Sequence, residues 1–365
     1  MLEAITLLPV AGVAAYFGVD GVRRWALHHQ ALDIPNQRSS HSRPTPRGGG
    51  LAVAFVTILG WVILGTVFQP STSWTALLTY ALGASLIAMV SWLDDLYSLS
   101  AATRFAAHGL AALAAIVAFG YWQAIPLLPT RSVALGCGGA VVTWLWIVGL
   151  TNAYNFMDGS DGMAGSQAVV AAMGWACLGW LADFPLLADL SLLLAVGSLG
   201  FLPHNWPPAR IFMGDVGSAF LGYSFAVLPL LGLRAGGPLA SLSPILGLLL
   251  LWPFVFDTAL TFLRRLRRGE NVLAAHRSHL YQRLIIAGYS HRFVLLLYSG
   301  LAIIGAGAAI FWLRHPVPAF WSSVVVLPLL AGLLCRFVVA VERQAQQAEG
   351  APQVLPFPSR RRRAA

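Results

Sequence analysis

Long apolar runs broken by short polar stretches dominate this chain. They fall near residues 2–20, 50–68, 74–92, 104–122, 133–150, 162–181, 186–203, 216–232, 241–263, 293–313 and 317–339. Runs of about 17 to 25 apolar residues are long enough to cross a bilayer as helices. Their continuous apolarity, without a two-residue alternation, argues against a barrel, and lipid tolerates no other spanning structure. The pattern therefore predicts an all-α polytopic membrane protein with about eleven transmembrane helices. One membrane domain covers 1–340, and a basic tail covers 341–365. The polar residues gather in segments 21–49, 93–103, 151–161, 204–215 and 264–292.

Composition narrows the class. Hydrophobic residues make up 58% of the 365 and charged residues 10%, against about a quarter charged in soluble proteins. A soluble enzyme and a nucleic-acid-binding domain are excluded. The chain has no lysine, so all 23 basic residues are arginine, and the net charge is +9. In a membrane protein such residues report orientation. On the eleven-helix reading, every arginine except Arg131, Arg234 and Arg314 falls on one side. The positive-inside rule makes that side cytoplasmic, with the N-terminus outside and the C-terminus, including Arg360 to Arg363, inside. The three cysteines (Cys137, Cys177 and Cys335) lie in apolar runs without disulfide or metal spacing. The opening MLEAIT holds Glu3 and no positive region, so no cleaved signal peptide is expected.

The few carboxylates carry the chemistry. Asp94 and Asp95 end the third helix within SWLDDLYSLS, pointing about 100° apart, an arrangement suited to a metal or general-base site. In TNAYNFMDGSDGMAG, Asn152, Asn155, Asp158 and Asp161 recur every third residue, which predicts a stripe along one helical face. Gly159 and Gly162 break the helix or admit close backbone approach. In IFMGDVGSAF, Asp215 lies between Gly214 and Gly217, and Ser218 is expected to open the next helix, whose N-terminus suits a phosphate. Oxygen-rich clusters on one membrane face fit a hard cation and phosphates. Asp257 is predicted near the cytoplasmic end of an apolar helix, where an aspartate is costly and serves a function. A transporter would instead gather such residues near the midplane, between repeats.

At these residues the chain resembles the polyprenyl-phosphate N-acetylhexosamine-1-phosphate transferases. The resemblance runs through PNQRSSHSRPTPRGGG, the DD pair, NxxNxxDGxDGxA, MGDxGS, the FDT of the ninth helix and the basic loop before the tenth. Within the family, RRGENVLAAHRSHLYQRL looks most like the branch that initiates O-antigen or related surface glycans. The phospho-MurNAc-pentapeptide translocase of peptidoglycan synthesis is the alternative within the family.

The resemblance implies a reaction between a UDP-activated N-acetylated sugar and undecaprenyl phosphate, with release of UMP. It implies Mg²⁺ as cofactor, with Mn²⁺ as the alternative ion. It places the enzyme in the bacterial inner membrane, its active site facing the cytoplasm. The partners are the two substrates and the lipid bilayer; a homodimer is compatible with it. By motif position Asp215 is the metal ligand, with Asp94 and Asp158 beside it. Asp94 and Asp95 bind or deprotonate the lipid phosphate, and Asp158 and Asp161 line the nucleotide or metal pocket. Asn152 and Asn155 hold the nucleotide-sugar, while Gly217 and Ser218 receive phosphate. His276, Arg277, His279 and Arg283 neutralise phosphate, and Arg47 and Arg104 stand where relatives use lysine. The sequence departs from the family at HLYQR: Tyr281 and Gln282 replace two histidines of HLHHR, which favours diphosphate or sugar binding there over catalysis by histidine.

Overall fold

The computed structural model describes residues 2–35, 43–68, 73–128, 131–272 and 276–350. The four arginines of the basic tail, Arg360 to Arg363, lie outside the described residues, as does Arg38 in the segment 21–49.

Thirteen α-helices follow one another along the described chain. They are α1 (Leu2–His28), α2 (Gly50–Ile63), α3 (Trp74–Tyr97), α4 (Ala101–Phe119), α5 (Gly138–Phe156), α6 (Met163–Leu181) and α7 (Pro185–Asn205), then α8 (Asp215–Gly232), α9 (Gly237–Leu250), α10 (Trp252–Arg267), α11 (Leu280–Ile286), α12 (His291–Arg314) and α13 (Pro316–Gly350). Helix forms over every predicted span, and the all-α polytopic class holds. Among the described residues eight helices are long and apolar enough to cross a membrane, and nine if the bent pair α9–α10 counts as one span. The remaining predicted spans, near 2–20 and 133–150, are the helices α1 and α5.

Four local expectations are corrected. The run 241–263 is not one straight helix: it breaks at Leu251 into α9 and α10, bent by 71°. Pro253, in the first turn of α10, lacks the amide and carries the ring that would have to fit an unbroken helix. The span predicted from residue 133 starts at Gly138. The residues before it form an antiparallel hairpin of β3 (Ala124–Leu128) and β4 (Arg131–Ala134), which the apolar pattern concealed. A smaller pair, β1 (Leu32–Asp33) with β2 (Thr45–Pro46), closes the loop after α1. Finally, α1 runs to His28, so the segment from residue 21 begins as helix, and α11 is a short helix inside the loop 264–292.

Burial ranks the helices from centre to rim. The apolar stretch of α8 is 94% buried inside the protein, while that of α13 is 17% buried. Helix α8 packs against α3 and α5, and α7 packs against α6 and α1. Small residues allow this. A Cβ on Gly50 at the start of α2 would overlap the Gly217 backbone of α8, and one on Gly217 would come within 2.6 Å of the Gly50 Cα. Close approach through small residues is how helices associate without a hydrophobic drive between them.

Candidate active site

The site is built where the end of α3 meets the start of α8. The first amides of any helix lack partners within it. Gly214, which precedes α8, has no side chain to offer them. Asp95 fills the role from α3: Oδ1 accepts from the Asp215 amide (3.2 Å) and Oδ2 from the Val216 amide (3.1 Å). The side chain is 3% exposed. A carboxylate there also faces the positive end of the helix dipole. Arg47 completes the arrangement, donating to the Asp95 carbonyl, with Nη1 3.8 Å from Oδ1. The loop carrying Arg47 is pinned to the segment before α8. Phe212 N donates to Pro46 O (2.8 Å), Gly49 N to Phe212 O (2.9 Å) and Gly50 N to Met213 O (2.8 Å). The run Gly48-Gly49-Gly50 permits this closeness: a Cβ at Gly49 would stand 2.7 Å from the Phe201 ring.

Asp94 turns elsewhere, as adjacent helical positions must. Its Oδ1 accepts from Leu99 N (2.6 Å) and its Oδ2 from Arg104 Nη1 (2.8 Å). The same Nη1 lies 3.5 Å from Asp215 Oδ2. Arg104 thus joins two carboxylates from different helices. Asp94 is 9% exposed and Asp215 37%, so Asp215 is the carboxylate that an arriving group meets. Behind it, Asn155 Nδ2 donates to Ser218 Oγ (2.9 Å), which donates to Gly214 O (3.1 Å). Helix α8 opens at Asp215, three residues earlier than expected, so Ser218 is already inside it.

The stripe predicted for residues 152 to 161 does not form. Asn152 and Asn155 belong to α5, which ends at Phe156; Asp158 and Asp161 belong to the loop before α6. Gly162 ends that loop with a left-handed φ of +74°. Asn152 Nδ2 bonds Val148 O (2.7 Å) and meets the buried His108 at Nδ1 (3.2 Å). Among the described residues no donor reaches the Asp158 carboxylate. Burial, then the negative charges of Asp215, Asp95 and Asp161, push its pKa well above the usual carboxylate range. Asp161 is engaged by two other parts of the chain. Its Oδ2 accepts from Ala209 N (3.0 Å), and Oδ1 lies 3.6 Å from His291 Nδ1. Gly162 N donates to Asn205 Oδ1 (2.8 Å), whose Nδ2 donates to Ile211 O (2.9 Å). Asn205 and Asp161 therefore tie segment 204–212 to the aspartate loop, and His291 ties that loop to the start of α12. Sequence reasoning left His291 unassigned and offered Asn205 only as a sugar contact, because both lie far along the chain from the aspartate loop.

The described end of the basic loop is organised around Asp257, which is wholly buried. Its carboxylate accepts from Leu280 N (2.8 Å), Tyr281 N (3.2 Å) and Tyr298 OH (2.6 Å), with His279 Nδ1 at 3.3 Å. Asp257 thus anchors the start of α11, and His279 is buried with it. Tyr281 and Gln282 are buried too. Gln282 Oε1 accepts from His279 N (3.2 Å), and Tyr281 OH donates to Phe156 O (3.1 Å). Arg283 is paired with Glu342 of α13, which raises the pKa of its guanidinium. His276 lies near Ser278 (3.0 Å), and Arg264 holds the Ser278 carbonyl. Arg277 is half-buried, and its Nε has no hydrogen-bond partner among the described residues.

Among the described residues no three His, Cys, Asp or Glu side chains converge into a cage for an ion. A magnesium ion does not need one. It keeps waters and takes one or two carboxylates together with substrate phosphates. Asp158, crowded by negative charge, and Asp215, with 37% of its side chain exposed, are the carboxylates that could hold such an ion.

The sequence model of glycosyl transferase family 4 matches residues 77–233, the stretch holding both ends of the α3–α8 junction. A probable undecaprenyl-phosphate N-acetylglucosaminyl 1-phosphate transferase of Bacillus subtilis is 37% identical over 282 residues, covering 76% of each chain. A decaprenyl-phosphate N-acetylglucosaminephosphotransferase of Mycobacterium tuberculosis is 32% identical, covering 89% of this chain and 87% of its own. An undecaprenyl-phosphate α-N-acetylglucosaminyl 1-phosphate transferase of Salmonella typhimurium is 26% identical, covering 91% and 93%. With its site assembled from motifs along this whole length, the chain belongs to glycosyl transferase family 4, as an enzyme of the polyprenyl-phosphate N-acetylhexosamine-1-phosphate transferases.

Proposed function

We propose that the enzyme transfers an N-acetylated hexosamine 1-phosphate from its UDP-sugar to undecaprenyl phosphate, in the bacterial inner membrane and on its cytoplasmic face. The observation that carries this reading is the Asp94–Arg104–Asp215 chain at the head of α8, with Asp158 beside it. It juxtaposes a cation with the part-exposed carboxylate of Asp215, the parts that two anionic phosphates and their metal ion require. N-acetylglucosamine is the proposed sugar, since relatives spanning most of the chain act on it by name. The lipid-diphospho-sugar product would initiate a surface glycan of O-antigen type.

In the reaction a phosphate oxygen of the lipid attacks the β-phosphorus of the UDP-sugar. The bond from that phosphorus to the bridging oxygen breaks, and UMP leaves with the bridging oxygen. Asp158 and Asp215 would hold Mg²⁺, which supplies charge neutralisation on the diphosphate when bound. Manganese would serve in its place. Arg104, fixed between Asp94 and Asp215, and Arg47, fixed on Asp95, bring positive charge to the anionic reactants. Asp94 faces the incoming lipid phosphate as its proton acceptor. Asp95 acts by holding the start of α8; Gly217, packed on Gly50, and the fully buried Ser218, bonded to Gly214 O, brace that start from inside and are closed to the phosphate expected of them. Asp161 fixes segment 204–212, and Asn152 and Asn155 line the nucleotide side. His276 and Arg277 present the ninth loop to the diphosphate; the buried His279 shapes that loop from behind.

The test is UMP release by the purified protein in detergent, with undecaprenyl phosphate and a panel of UDP-sugars including UDP-MurNAc-pentapeptide. Release with UDP-N-acetylglucosamine supports the reading. Release with the pentapeptide substrate alone transfers the enzyme to peptidoglycan synthesis, and no release with any UDP-sugar overturns the reaction.

A further inference from the structure

Tyr281 occupies an unusual position. Its backbone amide is held by Asp257, and so is that of Leu280 before it. Tyr298 fixes the same carboxylate from α12. The Tyr281 ring is fully buried, and its hydroxyl crosses from α11 to the end of α5, donating to Phe156 O (3.1 Å). There it also lies against the Gly159 backbone. Phe156 and Gly159 flank Asp158 in the chain. The hydroxyl therefore spans the turn that carries Asp158, from behind, and touches both of its ends.

Gly159 is shaped to this contact. A Cβ there would overlap the Tyr281 hydroxyl, while the ring carbon behind it, Cζ, would stand at 3.2 Å and Cε2 at 3.4 Å. The hydroxyl alone excludes a side chain. Gly159 does not have the positive φ that only glycine adopts easily, so its lack of a side chain answers to Tyr281 and not to backbone conformation.

We propose that Tyr281 is a positioning residue for the transfer: its hydroxyl clamps the Phe156–Gly159 turn and so sets where the Asp158 carboxylate points. The inference rests on the reading of Asp158 as a site residue. It gives the departure at HLYQR a role. Tyr281 does not face the substrate, as diphosphate or sugar binding would require; it couples the Asp257-anchored ninth loop to the aspartate loop.

The experiment compares Tyr281→Phe, Gly159→Ala and the double variant in detergent. It reads kcat and KM for each substrate, together with Tm. Misplacing a reacting group by about 1 Å costs on the order of 100-fold. Tyr281→Phe is expected to lower kcat about tenfold, with KM for the lipid phosphate and Tm close to wild type. Gly159→Ala should lower kcat about 100-fold. The double variant should recover toward Tyr281→Phe, since removing the hydroxyl makes room for the methyl group. A double variant no better than Gly159→Ala, or a Gly159→Ala protein with wild-type kcat, overturns the clamp. Should Gly159→Ala fail to fold, Tyr281→Phe decides alone: unchanged kcat overturns the proposal, and a kcat loss at constant Tm supports it. Asp158→Asn run in parallel separates the two levels. An inactive Asp158→Asn beside a normal Tyr281→Phe refutes the clamp only, whereas a fully active Asp158→Asn removes the reading beneath it.

Discussion

Asp95 and Asp215 lie 120 residues apart, yet the carboxylate of the first accepts the backbone amide of the second at 3.2 Å. One aspartate is spent on placing the other. The sequence neighbour Asp94 reaches Asp215 by a separate route, through the shared Arg104 guanidinium. The DD pair is therefore two devices, one structural and one facing the site.

This division predicts different phenotypes for neighbouring substitutions. Asp95→Ala leaves the Asp215 and Val216 amides buried without acceptors, which costs about 1–3 kcal/mol. Denaturation in detergent should show that loss, together with loss of UMP release. Asp94→Ala should lose activity with a smaller drop in stability, because Arg104 keeps Asp215. Equal stabilities for the two variants would refute the division.

Asp215→Asn should insert normally and lose about 10²- to 10³-fold in rate, the usual effect of removing one preorganised electrostatic element. Asp158→Asn should be comparably inactive but, at a pH above the raised pKa of Asp158, more stable than wild type without divalent cations, since a crowded negative charge is gone. A lower metal-free Tm in Asp158→Asn would contradict the crowding.

The raised pKa of Asp158 also sets a pH dependence. An acid whose pKa is higher in the folded than in the unfolded chain adds stability below its ordinary value of 3.8. That contribution is lost as pH rises through the raised folded value. Bound Mg²⁺ favours the charged form, so the gain in Tm on adding excess Mg²⁺ should grow with pH across this window. Calorimetry in buffers of different ionisation enthalpy should show proton release on metal binding. A pH-independent gain would separate Asp158 from the metal.

Arg283 faces Glu342 and not the α3–α8 junction. Glu342→Gln should leave kcat within about twofold and cost at most about 1 kcal/mol, as partly exposed pairs do. A large change in KM for the UDP-sugar would return Arg283 to the substrate.

Orientation is tested at Arg267, an exposed position in the last turn of α10. In a cysteine-free variant, Arg267→Cys should react in intact cells with membrane-permeant thiol reagents only. Labelling by an impermeant reagent would reverse the topology.

The apolar runs located the helices because lipid demands that backbone groups be paired within each span, and only sustained apolarity satisfies lipid. The same runs are blind to bends, so Pro253 and the α9–α10 break were hidden inside one hydrophobic segment, while the β3–β4 hairpin fell largely in the gap between two runs, where apolarity gives no signal. The carboxylate motifs were legible for a related reason: charge is rare in such a chain, and every aspartate stands out against it. Spacing misled only where it assumed helix, at Asp158 and Asp161, which a glycine-bearing turn carries away from the Asn152–Asn155 face.

The chain by itself determined the class, the helix positions and the candidate carboxylates, since these follow from local polarity against a solvent of uniform apolarity. Tertiary structure decided the roles. Asp95 caps a helix from another helix, Asp257 anchors a loop, Asp161 meets Ala209 and His291, and Tyr281 reaches Phe156 across 125 residues. Such roles depend on which unpaired amide or carbonyl the packing brings within about 3 Å of a side chain, a distance that no local pattern encodes.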